Sequence, residues 1–155
     1  MRHPKWAAGD FEVKVNGTPA GGSEPGTYLK LERTWRNGDV IAASLPMRLR
    51  IETMKDDHSL YAIVYGPLVL AGLLGREGMP SSAPYATSDE LQYKSVPDPK
   101  VPSLGLAGQN VEKWLKQTGP IEFAMSDASA NTPIRFVPLA NITNERYSVY
   151  WRLRS

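Results

Sequence analysis

The chain has 155 residues, a formal net charge of +2 and no cysteine, which suits one domain with a real core and excludes disulfides, thiolate metal sites and a cysteine nucleophile within it. Its 18 basic and 16 acidic residues are spread rather than clustered, so there is no electrostatic footprint for nucleic acid. Thirteen glycines, thirteen prolines and little helical periodicity favour an all-β design of short strands and turns.

The amino terminus has no apolar signal-peptide core, and Met1 to Trp6 reads as part of a strand, as though the chain began inside a larger protein. After a turn at Ala7-Ala8-Gly9-Asp10, residues Phe11 to Val15 alternate as a half-buried strand that Asn16-Gly17 ends. Thr18 to Gly26 is rich in Gly, Pro and Ser and is expected as an exposed loop. Its glycines do not make a phosphate cradle, which needs a Lys-Ser/Thr ending and a following helix.

The stretch from Trp35 to Leu74 holds most of the apolar runs, so the core is expected around it. Side-chain parity favours a three-residue loop of Arg36, Asn37 and Gly38, with Gly38 left-handed, pairing Trp35 with Asp39, Leu31 with Ala43 and Leu29 with Leu45. One face then gathers Leu29, Leu31, Trp35, Ile41, Ala43 and Leu45, and a slip of one residue would turn all of them to water. The parity continues through Met47, Leu49 and Ile51 as one long strand bent at Pro46, which marks an edge or a change of sheet. Lys55 to Ser59 is a polar turn, Leu60 to Tyr65 a central strand, and Leu68 to Leu74 continues after a bend at Gly66-Pro67. This apolar segment falls short of the roughly 20 residues a bilayer span needs, so no membrane partner is expected.

From Gly75 to Gly105 the pattern is lost among prolines, serines and small residues, a long and poorly ordered excursion. Val111, Trp114 and Leu115 then mark a short helix from Gln109 to Gln117, stopped by Gly119-Pro120. Strands follow at Ile121 to Met125, Ile134 to Leu139 and Tyr147 to Leu153, the last with Tyr147, Val149, Trp151 and Leu153 on one face. About eight or nine strands suggest a single antiparallel two-sheet β-sandwich over residues 1–155, jelly-roll-like, with one short helix.

The runs RHPKWAAGDFEVKVNG, Gly26-Thr27-Tyr28-Leu29, RTWRNGDVIAASLPMRLR and YAIVYGPLVLAG, in that order, resemble the sandwich domain that follows the helical barrel of β-L-arabinofuranosidase-type glycoside hydrolases. The ending PIRFVPLANITNERYSVYWRL is similar to the last strands of the larger members of that group. The match covers roughly residues 2–75 and 120–153. The resemblance implies a catalytic α/α barrel elsewhere in the parent chain, where a cysteine nucleophile sits with zinc-binding cysteines and glutamates. None of those residues can be carried over to a chain without cysteine, so the expected role is a non-catalytic accessory domain packing against that barrel, with no cofactor and no metal of its own. The alternative is a carbohydrate-binding module for plant-cell-wall oligosaccharides. Compartment stays open, a periplasmic or secreted parent being one option.

Asp56-Asp57-His58 could be read as metal ligands, but adjacent residues in a tight turn rarely converge on one ion, and a solvated hairpin turn is the plainer reading. No carboxylate pair stands out for glycoside chemistry. Sugar rings stack on exposed aromatic faces. Parity puts Trp35, Tyr147 and Trp151 inward and Tyr28 and Tyr150 outward, with Trp114 on the helix's apolar stripe. Tyr28, Tyr150 and Trp114 are therefore the candidate carbohydrate-binding residues, set against core packing for Trp114 and ordinary amphipathic surface for the tyrosines.

Overall fold

The computed structural model describes residues 1–7, 11–77, 79, 100–104, 110–125 and 133–152. It is all-β and antiparallel, with two sheets and one short helix, as the residue pattern predicts. Where that pattern reads as one domain, the chain divides into two compact units, Met1–Arg48 and Leu49–Ser155.

In the first unit, strands β1 (Glu12–Val15), β2 (Thr18–Pro19) and β3 (Ile41–Ser44) form a sheet in the order β2-β1-β3. Asn16 and Gly17 both have positive φ, 52° and 80°, the backbone a two-residue hairpin turn needs to match strand twist. Val13 and Val15 alternate into the interior, and Ala7 is buried as well. The amino terminus pairs with residues 26–29 through His3 N to Thr27 O and Leu29 N to Met1 O. His3 itself is buried, stacked on Phe11 at 4.3 Å, its ring nitrogens 2.6 Å from Ser23 O and 2.9 Å from Ala7 O.

The expected pairing of Leu29 and Leu31 with β3 does not form. Val13 lies opposite Ala43 and Val15 opposite Ile41 instead. Asn16 locks this choice: its Oδ1 accepts from Val40 N at 2.8 Å and its Nδ2 donates to Asp39 Oδ1 at 2.7 Å. Gly38 is left-handed as expected, at φ +91°, but the turn is closed by Asp39 N donating to Arg36 O, not by a three-residue loop. Without that hairpin the predicted inward face is not buried. Trp35 is 45% exposed, and Ile41 and Leu45 are exposed as well.

The chain leaves the first sheet before Pro46 and enters the second at β4 (Leu49–Thr53), so the proline marks a change of sheet rather than a bend in one strand. The second unit continues with β5 (Leu60–Tyr65), β6 (Leu68–Leu73), α1 (Val111–Trp114), β7 (Leu115–Gln117), β8 (Phe123–Met125), β9 (Arg135–Pro138), β10 (Tyr147–Ser148) and β11 (Tyr150–Arg152). Its sheet runs β11-β5-β6-β9-β8-β7, with β4 also on β5 and β10 also on β6. β5 is central, as its two apolar faces predict. The β5–β6 hairpin is paired from Ile63–Leu70 to Tyr65–Leu68 and then splays. β10 and β11 fill the opening, Tyr147 and Ser148 lying on Leu73 and Gly72 of β6, and Tyr150 to Arg152 on Ala62 to Leu60 of β5.

The core of this unit joins Ile63, Leu70, Leu104, Val111, Trp114, Leu115, Phe123, Met125, Phe136 and Trp151. Trp151 is fully buried, its ring 5.2 Å from that of Phe136. The helix is shorter than the expected Gln109–Gln117. Asn110 caps it by accepting from Glu112 N at 3.0 Å, and Gln109 lies outside the described residues. Beyond Trp114 the chain is extended because Leu115, Lys116 and Gln117 pair with Met125, Ala124 and Phe123 across the Gly119-Pro120 turn. Most of the excursion from 75 to 105 also lies outside the described residues. Its far end is not loose: Leu104 is 1% exposed in the core and its N–H donates to Arg152 O.

Candidate carbohydrate-binding surface

Tyr28 is in the first unit, where a bridge from Arg2 holds its backbone and leaves 73% of the residue exposed. Tyr150 sits on β11 of the second unit and is 49% exposed. Both face water, as alternation predicts. Trp114 does not: at 8% exposed it belongs to the core cluster, so neither face of its indole is open to a sugar ring. The helical stripe that nominated it is the stripe that buries it.

Two aromatic residues expected inside come out instead. Tyr147 is 48% exposed. Strict alternation from Trp151 would point it inward, but the strand is interrupted at Val149, where the chain passes from β6 to β5, and the parity changes there. Trp35 carries the Arg33 guanidinium over its ring at 5.1 Å, and Arg33 also pairs with Asp39 at 3.3 Å. No local signal announces either placement, because each depends on which strand the segment meets.

The acidic turn between β4 and β5 uses its groups on itself. Asp57 Oδ1 accepts from Ser59 N at 2.9 Å and from Ser59 Oγ, and Oδ2 lies 3.4 Å from Arg152 on the neighbouring strand. These hydrogen bonds from Ser59, aided by Arg152, lower the Asp57 pKa. Asp39 is lowered in the same way, chiefly by Arg36 N–H, then Asn16 and Arg33. Among the described residues no three His, Asp or Glu side chains gather where a metal ion could be held.

Residues 1–47 match the family model for the middle domain of GH127 β-L-arabinofuranosidases, and residues 50–153 match that for a domain of unknown function, DUF4986. The two matches meet where the two compact units meet, at Arg48 and Leu49. A solved structure described as a glycoside hydrolase superposes with a TM-score of 0.55 at 18% identity, over 99% of this chain and 27% of that one. The chain thus spans about a quarter of the length of the structure it matches, and at this identity the likeness is one of fold. No curated protein matches.

Proposed function

The chain belongs to the DUF4986 domain family, and from that premise we propose that it is a non-catalytic accessory β-domain of a β-L-arabinofuranosidase-type glycoside hydrolase, docking against the catalytic α/α barrel of its parent. The observation that carries this reading is the pair of family matches, a GH127 middle domain followed directly by DUF4986. The first unit supports it with large apolar residues left in water on and beside β3: Trp35, Val40, Ile41 and Leu45, between 40% and 62% exposed. β3 is an edge strand of its sheet among the described residues, and edges of this kind are usually covered. A chain without cysteine also lacks the nucleophile that the resemblance assigns to the barrel.

The test mixes this chain with a separately purified barrel of the parent protein. Co-elution that is lost with Trp35→Asp or Ile41→Asp, together with intact β-L-arabinofuranoside substrates when the chain is alone, is the expected result. Turnover by the isolated chain that disappears on mutating one acid overturns the non-catalytic reading.

The solvent-facing rings of Tyr28 and Tyr150 favour a second reading, contact with plant-cell-wall oligosaccharides. Amide shifts centred on either tyrosine during an oligosaccharide titration support it, and their absence removes it.

A further inference from the structure

Among the described residues, the sheets end in edge strands that are blunted in every case but one. β2 and β10 are two residues long, β2 with Pro19, while β4 carries Arg50 and Glu52, β7 Lys116 and β11 Arg152. Very short length, proline and charge are the devices that stop an edge from accepting a further strand. β3 differs from all of them. From Val40 through Leu45 the chain has neither a charge nor a proline, and every residue of β3 is exposed.

The direction of the open edge follows from the bonds on the other side. Val40 N donates to Asn16 Oδ1 and Val40 O accepts from Asn16 N, so Val40 turns its backbone groups toward β1. Alternation gives Ala42 and Ser44 the same direction and turns the N–H and C=O of Ile41 and Ala43 to the open edge. The side chains of Ile41 and Ala43 lie opposite Val15 and Val13, on one face of the sheet. On β1 that face is buried, and on β3 it is exposed. A helix laid on this face would cover the two side chains and leave the edge groups without partners, whereas an added strand meets both. We propose that the open edge of β3 accepts an extended, uncharged segment of the parent polypeptide as a further strand of this sheet. The solved relative superposes over 99% of this chain but only 27% of its own, so a protein of that length has the chain to supply one, and an edge without charge selects a segment without charge. The proposal rests on the docking reading above and adds to it how the parent meets β3.

Hydrogen exchange of the chain alone and of the full-length parent protein, read at single amides, tests it, with chemical footprinting of the Trp35 ring in the same samples. In the chain alone the Ile41 and Ala43 amides should exchange fast, and in the parent they should slow by about tenfold or more. Ala43→Pro removes one edge N–H and no bond to β1. It should leave the thermal melt of the chain alone unchanged and return Ile41 to fast exchange in the parent; an Ile41 amide that stays slow there overturns the proposal. Fast exchange at Ile41 and Ala43 in the wild-type parent, with Trp35 covered, overturns strand addition and leaves docking standing. Trp35 still open in the parent overturns both. Slow exchange at Ile41 and Ala43 in the chain alone also overturns the proposal, in favour of a second copy if the chain sediments as a dimer and of another segment of this same chain if it sediments as a monomer.

Discussion

The indole of Trp151 lies directly against the α-carbon of Gly72: a β-carbon there would stand 2.3 Å from Cζ2 and 2.6 Å from Cη2 of the ring, with Ile134 Cγ2 at 3.1 Å. Gly72 is paired on both sides, with Phe136 of β9 and Ser148 of β10, so its backbone has nowhere to retreat. Gly72→Ala should therefore destabilise the second unit by about 1–3 kcal/mol through overpacking. Chemical denaturation measures the loss, and Gly72→Ala combined with Trp151→Phe should recover part of it.

Removing the ring itself is the more severe change. Trp151 is fully buried, and Trp151→Ala should cost about 3–5 kcal/mol from lost transfer energy and the cavity left behind. Tyr147→Ala and Tyr150→Ala, at half-exposed positions on β10 and β11, should stay within about 0.5 kcal/mol. Equal losses at all three positions would contradict the change of parity at Val149.

At Gly38 the space is open and the backbone is the constraint: no heavy atom lies within 4 Å of a built β-carbon, yet φ is +91°. Gly38→Val should lower the stability of the first unit by about 1–3 kcal/mol, with no steric contribution from neighbours. Thermal melts of wild type and variant check it, and an unchanged midpoint would refute the left-handed turn.

Acid should loosen the first unit through Asp39. Its folded pKa lies below the ordinary 3.8 because Arg36 N–H, Asn16 and Arg33 favour the carboxylate. A depressed pKa contributes stability that is complete above the unfolded value and is lost as pH falls through the folded one. Denaturation followed at the Asn16 and Val40 amides should weaken below about pH 4 in the wild type. Asp39→Asn should be less stable at neutral pH and flatter over the same range.

Local features of this fold are legible in the residues. Alternation from Glu12 to Val15, the Asn16-Gly17 and Gly66-Pro67 turns, the two apolar faces of Leu60 to Tyr65 and the inward Trp151 each depend on backbone preference and side-chain period within a few residues. Pro46 belongs with them, since a residue without an N–H must sit where a ladder ends. The candidate surface was legible in part: Tyr28 and Tyr150 face water as parity requires, while Trp114 carries a pattern that reads equally as binding stripe or core.

What only the tertiary structure decided is the identity of partners. Alternation states that a strand has an apolar face but not which strand will cover it, and β3 went to β1 because Asn16 joins the two turns, leaving Trp35 in water. Leu115 to Gln117 continue a helical period yet are extended, because their backbone is taken up by pairing with Met125, Ala124 and Phe123 of β8. His3 and Leu104, in stretches without any period, are buried by contacts made twenty and forty-eight residues away, with Ser23 and Arg152. The sheet of the second unit likewise pairs β5 with β11 and β6 with β9 and β10, and non-local contacts of that kind have no signature in sequence spacing.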